Sequence, residues 1–270
     1  MKNSHNLFPH TPPMNRAHIQ QGITFLEQGY SGTQVETALG IPQAELEQAL
    51  VKANQRQKVI RAHLQNRGPL SSLLRYPDRG PWGKASYFGN CPGYLIVDLL
   101  DYLHPQSVFD PMEGSGTTGE VCFDFGVEYV GKDLKSGFDL LTSDLPTQPF
   151  DLIFWHPPYW PGKPYSEHPN DFSTLKSWSA YLTAVQAGMT RLCDCLSSQG
   201  HLAILIGDGR RQGRFYPIHS HIIEWQVLPL EAVLVKTGDH ERRANYYRYG
   251  PTKFIPTRHE YLLLFTRKNP

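Results

Sequence analysis

The sequence predicts an α/β fold, a mostly parallel and doubly wound sheet preceded by a small helical domain. Three observations carry this reading. The run Asp151-Leu-Ile-Phe-Trp155 has the length and apolarity of a buried parallel strand. It is stopped by His156-Pro157-Pro158-Tyr159-Trp160, because consecutive prolines donate no ladder hydrogen bond. Ser107-Val-Phe-Asp110, then Pro111-Met-Glu-Gly114-Ser115-Gly116-Thr117-Thr118-Gly119, reads as a strand, a glycine turn and a helix start. Finally, helical periodicity alone fills residues 14–66, whereas strands and helices alternate beyond them. Ligands of such sheets sit at strand ends, which places Asp110, His156 and Tyr159 beside whatever is bound.

Composition narrows the function classes. Hydrophobic residues make up 40% of the 270, enough for one α/β core and an appendage. With 26 basic against 25 acidic residues, affinity for a polyanion must come from local clusters. One spans residues 52–90, where Lys52, Arg56, Lys58, Arg61, Arg67, Arg75, Arg79 and Lys84 face a single acid, Asp78. Cys91, Cys122, Cys193 and Cys195 form neither a zinc spacing nor a disulfide framework and read as reduced, buried thiols, with no metal expected. No stretch approaches the ~20 apolar residues of a membrane span and the first residues are polar, so a cytoplasmic protein without a membrane partner is expected.

In chain order, residues 1–13, with Pro9, Pro12 and Pro13, read as a disordered arm. Residues 14–66 form the helical domain. Ile19, Ile23 and Leu26 share a face, Gly29 ends that helix and Ser31 caps the next. Gly40-Ile41-Pro42 then turns into a third helix bearing Leu46, Ala49 and Leu50. This order resembles the helix-turn-helix of DNA-binding regulators; a helical bundle packing on the next domain, or on a second copy in a homodimer, fits the same pattern. Residues 67–92 read as a basic, aromatic linker without regular structure, in which Arg75, Arg79 and Lys84 are candidates for phosphate contact.

The main domain is expected over 93–270. Residues 93–103 form a buried helix, followed by the strand, glycine turn and helix of 107–119. Val127 to Asp133 is a second strand ending in an acid suited to ribose hydroxyls. The 46 residues from Asp110 to His156 leave room for two short strand–helix steps. Residues 160–178 read as a loop covering a site, and a helix follows with Tyr181, Val185, Met189 and Leu192 inward. His201 to Ile206 is a strand whose terminal Asp208 faces the ligand or caps the next element. Strands at 225–235 and 259–266 close the chain. Between them, Arg242, Arg243 and Arg248 interleave with Tyr246 and Tyr247, a pattern suited to phosphate contact and base stacking.

His156-Pro-Pro-Tyr159 resembles the Asp/Asn/Ser-Pro-Pro-Tyr/Phe/Trp motif of S-adenosylmethionine-dependent methyltransferases acting on exocyclic amino groups of DNA bases, adenine N6 or cytosine N4. Asp110 to Thr118 resembles that family's Asp-Pro-x-x-Gly-Ser-Gly-Thr-Thr cofactor motif over its whole length. The resemblance covers roughly residues 85–268. It implies a Rossmann-like, seven-stranded sheet with a C-terminal antiparallel hairpin. S-adenosylmethionine is the implied cofactor, held by Asp110, Pro111, Gly114, Ser115, Gly116, Thr117, Thr118, Asp133 and Asp139, the last at the adenine amino group. DNA is the implied partner, with His156, Pro157, Pro158 and Tyr159 catalytic. Histidine in the first motif position departs from the family and favours neither base; adenine is preferred weakly. The same corner serves RNA and protein-amide methyltransferases, and a DNA-binding regulator on an inactive fold would share the motifs.

Overall fold

The computed structural model describes residues 16–76, 78–238, 255 and 257–268. The chain divides into two compact units, Met1–Val59 and Ile60–Pro270. The first holds α1 (Arg16–Glu27), α2 (Gly32–Leu39) and most of α3 (Gln43–Arg67). Ser31 opens α2 with a reciprocal capping box, its hydroxyl accepting from Gln34 N–H while the Gln34 side chain accepts from Ser31 N–H. Gly40 closes the helix in the left-handed conformation at φ 67°. Val35, Ile41 and Leu46 form the small core, flanked by Phe25, Leu26 and Leu39.

The second unit is built on seven strands: β1 (Leu73–Tyr76), β2 (Ser107–Asp110), β3 (Glu128–Gly131), β4 (Phe150–Trp155), β5 (Leu196–Ile206), β8 (Leu230–Gly238) and β9 (His259–Thr266). A two-stranded hairpin, β6 (Gly209–Arg211) and β7 (Arg214–Tyr216), lies between β5 and β8 in the chain. The sheet order is β1-β8-β9-β5-β4-β2-β3, with β9 antiparallel to both neighbours and the other pairs parallel. Helices α4 (Gly93–Leu103), α5 (Thr117–Phe125), α6 (Trp178–Asp194) and α7 (Ile218–Glu224) connect the strands. The expected Rossmann-like sheet with its C-terminal antiparallel hairpin, β8–β9, is therefore present. From β2 the chain runs to β3 on one side and then to β4 on the other. A crevice opens where the strand order reverses, at the carboxyl ends of β2 and β4.

Three details differ from the sequence reading. The stretch taken as a structureless linker contains β1, whose alternation buries Leu74 and Tyr76 and exposes Leu73 and Arg75 against the edge of β8. Only β3 lies between β2 and β4; Phe138 and Leu140 are buried from irregular chain, and Pro146 and Pro149 discourage a further strand there. The penultimate strand starts at Leu230, because residues 218–224 form α7.

Asp98 of α4 is a buried polar hub of this unit. It accepts hydrogen bonds from Tyr76 Oη and His63 Nε2, both at 2.7 Å, and pairs with Arg67 Nε at 2.8 Å. Arg67 also bonds Asp101. One cation of the basic 52–90 cluster is thus consumed in holding α3 to α4.

Candidate active site

The glycine turn after β2 folds back over the strand end. Buried Asp110 accepts from Met112 N–H at 3.0 Å and Thr118 Oγ1 at 2.6 Å, so its carboxylate ties the strand to the start of α5. Burial pushes its pKa up to about 7, against the pull of those two hydrogen bonds. Gly114 and Gly116 take φ of 54° and 80°, conformations a side chain would strain. Asp133, just beyond β3, accepts from Gly114 N–H at 3.0 Å and so couples the second strand to the loop.

A second segment closes over this turn. Trp82 is buried and donates to Asp124 at 2.7 Å, Gly83 N–H donates to Glu120 at 3.0 Å, and Lys84 N–H reaches Ser115 Oγ at 3.2 Å. A β-carbon on Gly83 would lie 2.2 Å from Thr117 Oγ1, so only glycine permits this approach. Thr117 in turn donates to Asn90 at 2.5 Å.

Two adjoining cavities result. The smaller, about 410 Å³ including its mouth, runs from Asn90 and Ser115 past Asp110 and Thr118 to Phe154 and His156. The larger, about 530 Å³, is an apolar slot between Met112, Phe138, Leu140 and Phe172 with Asp133 and Asp139 at its edge. Tyr87 and Met112 line both. Lys135 donates to Tyr87 Oη at 2.6 Å and fixes it at this seam. The loop of 160–178 supplies Tyr165, Asn170 and Phe172 to the larger cavity. Buried Asp171, accepting from Tyr165 N–H and Ser166 N–H at 3.0 and 2.7 Å, pins it.

At the end of β4 the proline corner presents His156. Its Nε2 lies 2.9 Å from Tyr159 Oη, Tyr159 donates to Glu260 of β9, and Glu260 pairs with Lys236 of β8, opposite it in register. Burial alone would raise the Glu260 pKa, but Lys236, His156 and the hydrogen bonds outweigh it and hold the carboxyl below its ordinary range. Ionised Glu260 can only accept, so the single Tyr159 proton goes to it. Tyr159 oxygen must then accept from His156, which fixes the proton on Nε2. Burial lowers the His156 pKa to about 4, Lys236 and Arg79 adding to the effect and Glu260 opposing it. At neutral pH the ring is therefore uncharged, with a lone pair on Nδ1, which has no hydrogen-bond partner among the described residues. Held by Tyr159, Glu260 and Lys236, the uncharged ring keeps Nδ1 able to accept a hydrogen bond through the neutral range.

The structure brings Asp110, Gly114, Ser115, Thr117, Thr118 and His156 onto one cavity, with Pro111, Asp133 and Asp139 on its neighbour. Asp139 is heavily engaged, accepting from Leu141 N–H at 2.9 Å, Thr142 Oγ1 at 2.7 Å and Asn170 Nδ2 at 2.6 Å. Pro158 oxygen receives Tyr181 Oη at 3.2 Å, which orients the corner. Tyr159 packs against Gly207, where a β-carbon would come within 2.7 Å of its ring. Asp208 accepts from His219 N–H at 3.3 Å and meets His219 Nδ1 at 2.8 Å, so it caps the start of α7. Of the cations expected to meet DNA, Arg75 and Lys84 are exposed, whereas Arg79 is half-buried with Nη1 lacking a hydrogen-bond partner. Arg242, Arg243, Tyr246, Tyr247 and Arg248 lie outside the described residues. Among those described, no cluster of His, Cys, Asp and Glu could hold a metal, the four cysteines are free, and no helix is long and apolar enough to cross a membrane.

Sequence reasoning missed Lys236 and Glu260. The available signal was a lysine in one strand and a glutamate in the other, Lys236 and Glu260, at positions that β8–β9 pairing places side by side.

No protein-family model and no curated protein sequence matches the chain. Among solved structures, a Thermus thermophilus protein provisionally named a DNA modification methylase, complexed with S-adenosyl-L-methionine, is 21% identical over 47% of this chain and 51% of its own, with a TM-score of 0.33. An rRNA methylase from Streptococcus thermophilus is 14% identical over 66% of this chain and 97% of its own, TM-score 0.36. The 1,6-didemethyltoxoflavin-N1-methyltransferase of Burkholderia thailandensis is 13% identical over 66% and 77%, TM-score 0.39. The chain spans about half the length of the Thermus protein.

Proposed function

We propose that this chain is an S-adenosylmethionine-dependent DNA methyltransferase that modifies an exocyclic amino group, adenine N6 in preference to cytosine N4. The observation that carries the reading is a neutral imidazole, with Nδ1 as acceptor, on the same cavity as a glycine loop of cofactor-binding form. The residues present suit the cofactor. The first turn of α5 offers backbone N–H groups to a carboxylate, the slot beside Phe138 and Phe172 has the apolarity of an adenine site, and Asp133 at its edge is suited to ribose hydroxyls. When bound, S-adenosylmethionine supplies an electrophilic methyl group. His156 Nδ1 accepts a hydrogen bond from the target amine, draws its lone pair out of the ring and becomes the first acceptor of the displaced proton. In this reading the Pro157 carbonyl, its direction restricted by two prolines, accepts from the second N–H. A cytosine carbon-5 mechanism lacks its Pro-Cys nucleophile in this sequence. Mass spectrometry of nucleosides from DNA incubated with the protein and labelled cofactor tests the reading. Label in N6-methyladenine or N4-methylcytosine supports it, whereas label confined to RNA or to protein amides refutes it.

Cofactor binding gives a separate test. Asp133→Ala should weaken S-adenosylmethionine about tenfold or more, since both a charged hydrogen bond and the anchor of Gly114 are lost; unchanged affinity in calorimetry would remove Asp133 from the site. Asp110 adds a proton signature. A cation in the cavity favours its ionised form, so below about pH 7 binding should release protons and affinity should rise with pH until Asp110 is ionised in the free protein. Calorimetry in buffers of different ionisation heat reads this directly, and S-adenosylhomocysteine, lacking the sulfonium charge, should release fewer.

A further inference from the structure

The β6–β7 hairpin, Gly209-Arg-Arg-Gln-Gly-Arg-Phe-Tyr216, has no role in the chemistry above, yet it stands on the catalytic corner. It leaves the sheet directly after β5, the strand paired with β4. A β-carbon on Gly209 would lie 2.1 Å from the Trp160 carbonyl oxygen, so the hairpin base rests on the corner backbone. The Tyr216 and Trp160 rings meet edge to face at 5.1 Å, and the Arg211 guanidinium lies 5.9 Å over the Trp160 ring.

The hairpin closes in a tight turn and its tip is cationic. Gln212 and Gly213 have φ of 48° and 81°, the paired positive values of the two-residue turn that matches strand twist. Residues 210–215 are exposed, and Phe215 is 41% exposed. Arg210 and Arg214 stack over Phe215 and Tyr216, each at 5.2 Å, which limits their freedom before any ligand arrives. Arg211 and Arg214 sit directly opposite each other in the ladder. Like charges in that relation repel, so the hairpin carries a local cost that a polyanion would remove. A two-stranded ribbon has the width to enter the major groove of B-form DNA, whereas the major groove of A-form RNA is too narrow.

Resting on the methyltransferase reading given above, we propose that the 209–216 hairpin docks duplex DNA through Arg211 and Arg214 beside the nucleotide held at His156. The test is duplex binding measured against salt for wild type, Arg211→Gln/Arg214→Gln and Arg214→Glu. The double variant should bind at least about tenfold more weakly, and its log K against log salt slope should fall by about 2, close to one unit per phosphate contact. Arg214→Glu replaces a repulsive cross-strand pair with an attractive one. It should hold or raise Tm while losing DNA affinity, which separates binding from folding. Cofactor affinity should not change in either. Wild-type affinity and slope in both variants would overturn the hairpin proposal even if DNA is methylated, and the enzymatic reading would then stand alone. Preference of the wild type for duplex RNA would overturn it as well. A wild-type protein that binds cofactor but methylates no nucleic acid would overturn both.

Discussion

His156→Ala should lower methyl transfer about 10²- to 10⁴-fold, the usual contribution of a positioned proton acceptor, and leave S-adenosylmethionine affinity within about twofold. The two readouts separate because His156 lines the smaller cavity away from Asp133, which lines the larger one, and the cofactor is proposed to lie along the glycine loop and Asp133. The pH profile is the sharper test. A histidine that must accept through Nδ1 stops working once protonated, so activity should fall with acidity. An ordinary imidazole would give that limb near pH 6.5. Burial moves it to about 4, so the rate should be level through the neutral range and bend only in strong acid. His156→Asn, which accepts through its amide oxygen at any pH, should retain measurable activity without that bend. A His156→Ala enzyme at wild-type rate with the wild-type profile would leave the Pro157 carbonyl as sole acceptor and withdraw the role assigned to His156.

How much of this was legible in the sequence differs between its two halves. The cofactor side was readable because its geometry is local: Asp110 to Thr118 is one strand, one turn and one helix start, and the turn needs glycine at positions the sequence displays. The acceptor side was only half readable. His156 was visible as the residue that opens the proline corner. What decides its tautomer could not be read, since Lys236 and Glu260 lie about 80 and 100 residues beyond it and meet it only through sheet pairing. Gly83 was hidden in part for the same reason: besides its own φ of 68°, it must be glycine because Thr117 approaches from across the loop, which no local signal shows. β1 was hidden by its length, four residues between Ser71-Ser72 and Pro77, too short for a periodicity argument.

The relay behind His156 yields the second large effect. Lys236 is 6% exposed, and its ammonium is paired with Glu260. Glu260→Leu therefore removes the ion-pair partner of a buried ammonium, and loss of one member of such a pair costs up to about 3–5 kcal/mol, a readily measured fall in Tm or in the denaturant midpoint. Glu260→Leu with Lys236→Met removes both charges and should recover most of that loss, because an apolar pair of similar volume is often as stable as the ion pair. The double variant then isolates the chemistry. Without an acceptor at position 260, the Tyr159 proton is free to turn toward His156 Nε2, which moves the imidazole proton to Nδ1 and converts the acceptor into a donor. Activity should fall about tenfold or more with cofactor affinity intact, and the nitrogen chemical shifts of His156 should exchange their protonated and unprotonated assignments. The sign with pH follows from the same groups. Folded His156 resists protonation, so the wild type should lose stability as pH falls from about 6.5 toward 4. Glu260, held below its ordinary range, should take a further share below that as it protonates. The double variant keeps the first loss and lacks the second. If it transfers methyl groups at the wild-type rate with Nε2 still protonated, Lys236 and Glu260 serve only to join β8 to β9.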